Sequence, residues 1–148
     1  MLGSLPGEAS LAAGCYYAHP QNAFWRLIGG VIDEDIAALP YDDRLATLLR
    51  HRVGLWDVVG EATRAGSLDT AIRDATHNDL ATLVETLPDL RMVAFNGGKA
   101  AGDGRKLLAA QSDRLRLVTL PSSSPAHASL RFEEKAAAWN SLRDALVD

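Results

Sequence analysis

The chain has one cysteine, Cys15, in 148 residues. That excludes an internal disulfide and any metal or iron–sulfur centre built from cysteines alone. Cys15 itself reads as a reduced, partly buried thiol. The histidines His19, His51, His77 and His127 show no zinc-like spacing. No metal and no cofactor are therefore expected. No apolar run is long enough to span a bilayer, and no signal-like segment opens the chain, so a cytoplasmic protein without a membrane partner is expected. Positive charge is scarce: Lys and Arg number 15 against 19 Asp and Glu, a formal net charge of −4. The chain has no global attraction for a polyanion, so any nucleic-acid contact must be local and involve few phosphates. A phosphate-binding loop is missing, because Gly97-Gly98-Lys99-Ala100 lacks the hydroxyl that would hold magnesium. The Gly-x-Ser-x-Gly elbow of serine hydrolases is missing too, since Ser4 directly follows Gly3. There is no repeat, linker or low-complexity segment.

What is present is 47% hydrophobic residues with a mean hydropathy of −0.04. At this length the chain reads as one globular domain, 1–148, with a core of its own. Residues 23–30 read as a helix ended by Gly29-Gly30, with Phe24, Trp25 and Ile28 as anchors. Tyr41 to Arg52 reads as a second helix, with Leu45, Leu48 and Leu49 as its apolar stripe. Leu55 to Val59 reads as a strand, and Gly66 to Asp69 as a turn into a helical piece holding Ala71 and Ile72. Asn78 reads as the N-cap of a helix over Asp79–Leu87. A strand over Arg91–Phe95, a helix from Lys99 to about Gln111 and a strand over Leu115–Leu120 follow. Phe132 to Leu146 closes the chain as a helix, with Phe132, Ala136, Trp139, Leu142 and Leu146 inward.

Strands alternating with helices imply an α/β fold: a three-layer αβα sandwich around a central, mostly parallel four-stranded sheet. Ligands of such sheets bind beyond the carboxyl ends of the strands. The Gly3 turn, Asn96-Gly97 and the Pro121 loop all fall at such ends and are expected to converge on one cleft. The first strand is truncated, since only Met1 and Leu2 precede Gly3. An upstream extension supplying apolar strand residues is expected.

Two stretches near the start carry the chemistry. Gly3-Ser4-Leu5-Pro6-Gly7 reads as a stiffened Gly turn with bare backbone N–H groups. Cys15-Tyr16-Tyr17-Ala18-His19-Pro20-Gln21-Asn22-Ala23-Phe24-Trp25 delivers two rings and a helix start, with Ala18 or His19 as cap, Pro20 at the first helical position and Asn22 in the first turn. Together they resemble motif one of the uracil-DNA glycosylase superfamily, and most of all its hypoxanthine-DNA glycosylase branch. Three further blocks agree in order: Gly54-Leu55-Trp56-Asp57-Val58 with Arg64-Ala65-Gly66-Ser67-Leu68-Asp69, then Phe95-Asn96-Gly97, then Leu120-Pro121-Ser122-Ser123-Ser124-Pro125-Ala126.

The resemblance implies a monomeric, cofactor-free enzyme acting on DNA that contains a deaminated base. It implies hydrolysis of the N-glycosidic bond of a flipped-out base, most of all hypoxanthine, to leave an abasic site. It implies Tyr17 as the stacking platform, Asn22 as the catalytic amide and Asn96 as its partner. Ser4, Gly7 and Ser10 would line the base, and Ser122, Ser123, Ser124 and His127 would meet DNA phosphates. Uracil and hypoxanthine both present a lactam that a carboxamide complements with its own N–H and carbonyl. Better-known branches carry Asp or Asn where Leu5 stands, and often His or Asn where Leu120 stands. Those departures favour hypoxanthine over uracil.

From the residues alone, Asn22 is equally a helix-start residue, Asn96 a turn residue, and Tyr17 a core ring. Lys99, Arg105 and Lys106 read as a solvated helix face, with Lys99 a candidate DNA contact. Asp57 reads as an ion-pair partner of Arg64 or His51. Three alternatives remain: a mismatch-directed uracil or thymine glycosylase, a catalytically inactive nucleic-acid-binding domain, and an unrelated α/β hydrolase using Asp57 and His51.

Overall fold

The computed structural model describes residues 1–3, 10, 14–64, 72–125 and 129–146, with the backbone alone for 59–64 and 72–76. They fall into two compact units, Met1–Pro6 with Leu55–Leu120 and Gly7–Gly54 with Pro121–Asp148.

The first unit is built on a four-stranded sheet of order β2-β1-β5-β6. Its strands are β1 (Leu2–Gly3), β2 (Trp56–Asp57), β5 (Met92–Asn96) and β6 (Arg116–Leu120). Every pairing in it is parallel. The two-residue β1 holds an interior place, with Leu2 opposite both Trp56 and Phe95. Its carbonyls are used beyond the strand itself: Trp56 N–H donates to Met1 at 3.1 Å and Val58 N–H to Gly3 at 2.8 Å. β5 and β6 run in register from Met92–Arg116 to Asn96–Leu120. Val93, Ala94, Phe95 and Asn96 are consecutively buried, the pattern of a strand covered on both faces.

The expected strand over Leu55–Val59 is shorter in this sheet. Val59 instead opens β3 (Val59–Arg64), which pairs antiparallel with β4 (Ile72–His77) in a separate hairpin. Ile72 is thus in a strand and not in a helical piece. The pairing joins Val59 to His77 and Arg64 to Ile72, with register shifts between. Strand formation here depends on the partner strand and not on local propensity, which did not show it. Asn78 does not cap the next helix, α3 (Leu80–Glu85). Asp79 does, accepting from Thr82 N–H at 3.1 Å. Asn78 instead ties the hairpin's foot to β2, its Nδ2 donating to the Asp57 carbonyl at 2.8 Å.

The helix after β5, α4 (Gly98–Leu107), lies against β5 and β6. The apolar cluster of this unit joins Leu2, Val58, Leu80, Val84, Phe95, Ala100 and Leu108. Gly104 faces the Phe95 ring, and a Cβ there would come within 2.2 Å of it.

The second unit is helical: α1 (Phe24–Ile32), α2 (Tyr41–Arg50), α5 (Phe132–Trp139) and α6 (Arg143–Leu146), with 3-10 turns at Ile36–Ala38 and Asn140–Leu142. The expected stop at Gly29-Gly30 does not occur. α1 runs through both glycines and ends at Asp33, which is left-handed at φ 59°. Gly29 is needed for close approach, since a Cβ would sit 2.7 Å from the Glu34 carbonyl. Burial of Val31 and Ile32 outweighs the cost of about 1 kcal/mol for a helical glycine. The expected inward stripe of α2 holds only for Leu48; Leu45 is 36% and Leu49 77% exposed. On the closing segment Trp139 and Leu142 are buried as expected, and so is Lys135. Among the described residues no helix is long and apolar enough to cross a membrane.

Gly104→Ala should lower stability by about 1–3 kcal/mol through overpacking against Phe95. Urea unfolding checks this, and an unchanged midpoint would contradict the close packing.

Candidate active site

Between Gly14 and Ala23 the chain turns repeatedly before α1 begins, tied down by specific hydrogen bonds. Cys15 N–H donates to the Ser10 carbonyl at 3.1 Å, and Ala18 N–H to Ser10 Oγ at 3.0 Å. Tyr16 N–H donates to the hydroxyl of Tyr41, twenty-five residues away, at 3.0 Å. His19 Nδ1 accepts from Gln21 N–H at 3.1 Å, and the His19 carbonyl from Asn22 N–H at 2.9 Å. The expected helix start at Pro20 is replaced by this turn, so Asn22 precedes α1 and does not lie in its first turn.

Tyr17 has a left-handed backbone, φ 55°. A bulky residue in that region is strained and persists only where its surroundings enforce it. Here they do. The Tyr17 ring stacks on Phe24 with centroids 3.9 Å apart and planes 21° apart. Phe24 in turn meets Trp25 and Trp139 edge-on, and both Phe24 and Trp139 are fully buried. Tyr17 is therefore seated on the core, but it is not itself a buried core ring.

Asn22 Oδ1 accepts from Phe24 N–H at 2.9 Å. That bond fixes which end of the amide is oxygen. Among the described residues Nδ2 has no hydrogen-bond partner. Tyr17 and Asn22 line one hollow of about 400 Å³, together with Tyr16, His19, Tyr41 and Arg44. Its size lies within the range of small-ligand sites.

The serine loop is braced within the same unit. Trp139 Nε1 donates to the Pro121 carbonyl at 2.9 Å, and Ala23 N–H to the Ser123 carbonyl at 3.0 Å. Ser122 Oγ accepts from Ser124 N–H at 3.1 Å. Lys135 Nζ lies 3.4 Å from the Ser124 carbonyl, and burial lowers its pKa. Ser122 and Ser124 are half-buried, whereas Ser123 is 1% exposed and packs inward. Ser10 is buried as well, with its hydroxyl spent on the turn.

Asn96 belongs to the first unit. It ends β5, is 7% exposed, and stands opposite Leu120 at the carboxyl edge of the sheet. Gly97 N–H donates to the Leu120 carbonyl at 3.0 Å. Gly3 and Asp57 end at the same edge. Ser4, Gly7 and His127 lie outside the described residues. Lys99 forms an ion pair with Asp103 at 2.6 Å, and His77 approaches the same oxygen at 3.4 Å. Burial raises the Asp103 pKa, but those two partners outweigh it and hold the carboxyl below its usual range. His51 pairs with Glu34, not Asp57. Among the described residues no group of three or more His, Cys, Asp or Glu is placed to hold a metal.

The family model for the uracil DNA glycosylase superfamily matches residues 1–143. The chain belongs to that superfamily. Two curated relatives named hypoxanthine DNA glycosylase are similar to this superfamily member over most of its length. The one from Methanosarcina barkeri (strain Fusaro / DSM 804) is 40% identical over 88% of this chain and 82% of its own. The one from Methanosarcina acetivorans is 42% identical over 86% of this chain and 78% of its own. A solution NMR structure of a candidate uracil DNA glycosylase from Methanosarcina acetivorans superposes with a TM-score of 0.84. It is 39% identical and covers 97% of this chain and 88% of that one. The α/β fold with its parallel sheet is thus that of the superfamily.

Three residues of this uracil DNA glycosylase relative escaped the sequence reading. Tyr41 read as a helix start, and nothing local signals its bond to Tyr16. Arg44 lies within the expected second helix and was given no role. Lys135 had a signal: it falls on the inward stripe with Phe132 and Trp139, three and seven residues from the helix start.

Tyr41→Phe keeps the ring against Trp25 but removes the acceptor for Tyr16 N–H. Amide exchange at Tyr16 should accelerate while global stability falls by only about 0.5–1.5 kcal/mol. Unchanged protection at Tyr16 would contradict the brace.

Proposed function

We propose that this protein is a monofunctional DNA glycosylase that removes hypoxanthine from deoxyinosine, hydrolysing the N-glycosidic bond to leave an abasic site. One observation carries the reading: Tyr17 and Asn22 line the same hollow, and the ring of Tyr17 is backed by buried Phe24. The likeness to relatives named hypoxanthine DNA glycosylase supports the choice of base. The reading takes residues 1–148 as one domain, acting as a monomer in the cytoplasm without a cofactor.

The target base leaves the stack and lies on Tyr17, a contact worth about 1–3 kcal/mol per base. Asn22 then presents an oriented amide. Its Oδ1 takes the Phe24 N–H and retains a second lone pair, and its Nδ2 keeps both hydrogens to donate. An amide is no general base near neutral pH, so its work is to orient the lactam and the attacking water. As the bond breaks, the sugar becomes oxocarbenium-like and the departing base gains negative charge. Donors aimed at that charge stabilise the transition state. The resemblance supports a part in the reaction for Asn96, and Ser122 and Ser124 supply hydroxyls for phosphates. Ser123 contributes through its backbone, and Ser10 shapes the turn that carries Tyr17.

The test uses matched duplexes carrying deoxyinosine or deoxyuridine opposite thymine, cytosine or guanine, with alkaline cleavage of abasic sites. Inosine should be excised in preference to uracil. Removal of uracil opposite guanine with inosine untouched would favour a uracil or thymine glycosylase. No cleavage of either would favour a binding domain. Asn22→Asp keeps the acceptor for Phe24 N–H and removes the Nδ2 donor. It should retain the melting temperature yet lose roughly 100-fold or more in turnover. Full activity in that variant would end the assignment of Asn22.

A further inference from the structure

We propose that the hollow beside Tyr17 and Asn22 also grips a phosphate group of the DNA backbone, through Arg26 and Arg44. The proposal rests on the glycosylase reading and adds a polyanion contact made by neither the serine loop nor the amides.

The formal charge lining the hollow is of one sign. Arg26 and Arg44 line it, and among its described lining residues none is acidic. The chain as a whole carries a net charge of −4, so this local guanidinium pair is where a polyanion would be met. Three other cations are paired with carboxylates, Lys99 with Asp103, Arg50 with Glu34 and Arg131 with Glu134, while Arg105, Arg114 and Arg143 bond hydroxyls or carbonyls away from this hollow. Among the described residues, neither Arg26 nor Arg44 has an acidic partner.

Arg44 is held from three directions. Its Nε donates to the Leu39 carbonyl at 2.8 Å and its Nη2 to the Ala37 carbonyl at 2.8 Å. Its Cζ lies 5.2 Å from the centre of the Trp25 ring. These contacts leave Nη1 to act from a fixed plane, so little entropy is lost when it meets an oxyanion. Arg26 follows Asn22 by four residues and is exposed, with its guanidinium 4.5 Å over the Phe132 ring. That ring restrains the arginine without consuming its donors.

A second hollow of about 330 Å³ shares Trp25 and Arg26 and is lined by Asp33, Glu34 and Asp35. The sign of the charge therefore reverses across Trp25 and Arg26. A DNA strand is drawn to the arginine side and repelled from the acidic side, which sets its path beside the base platform.

The test measures the affinity of the full chain for a labelled duplex with one deoxyinosine as sodium chloride is raised. Each phosphate contact contributes about 0.9 to the slope of log affinity against log salt. Arg26→Gln should reduce the slope by about 0.9, and Arg26→Lys should restore it. Arg44→Gln should act alike, with its melting temperature read alongside because Arg44 braces two carbonyls. Slopes unchanged in both glutamine variants would overturn the proposal, even if the wild type excises inosine. A second arm titrates inosine 5′-monophosphate. If Arg26→Gln abolishes that binding while the duplex slope stands, the phosphate belongs to a free nucleotide and the DNA assignment fails. A wild type that spares inosine defeats the glycosylase reading alone, because the slope is still readable on undamaged duplex.

Discussion

The stack of Tyr17 on Phe24 is the contact on which the site depends. Phe24 is the first residue of α1, and its ring sits at zero exposure against Trp25 and Trp139. That burial anchors both sides of the site. On one side it holds Tyr17 in a left-handed backbone that would otherwise relax at a gain of about 1–3 kcal/mol. On the other it sets the N–H that orients the Asn22 amide. Trp139 extends the same anchor to the serine loop, through its bond to the Pro121 carbonyl. Tyr17, the Asn22 amide and the Pro121 loop thus share one aromatic core.

The sheet of the first unit solves a different problem. Two residues make an interior strand because both neighbours accept them in parallel register and because the Met1 and Gly3 carbonyls serve Trp56 and Val58. β5 carries the burden of the core there, and Gly104 lets α4 settle onto Phe95. Asn96 is buried at the end of that strand, where parallel sheets place ligand-facing residues.

Much of this was legible in the residues. Alternating strand and helix patterns gave the α/β class, and the run from Tyr16 to Trp25 singled out Tyr17 and Asn22, which line one hollow. What escaped lay outside local patterns. β4 is set by its antiparallel pairing with β3, which the local pattern does not show, so Ile72 looked helical. Gly29 and Gly30 looked like a stop because the approach of the Glu34 carbonyl has no local signature. Leu45 and Leu49 fit an apolar stripe by spacing, yet both are exposed on α2. Tyr41 and Arg44 looked ordinary because their roles lie in contacts made with Tyr16, Ala37 and Leu39. Ser123 fell in a loop of small polar residues, which hid that its side chain packs inward and its carbonyl holds Ala23 N–H.

The central claim is that an extruded purine lactam rests on Tyr17 within reach of the Asn22 amide. The most direct measurement is a crystal structure of the full chain with a duplex bearing a non-hydrolysable deoxyinosine analogue. The account predicts the base outside the helix, stacked on the face of Tyr17 opposite Phe24 and hydrogen-bonded to Asn22. A base still in the duplex stack, or one lodged away from Tyr17, would contradict it.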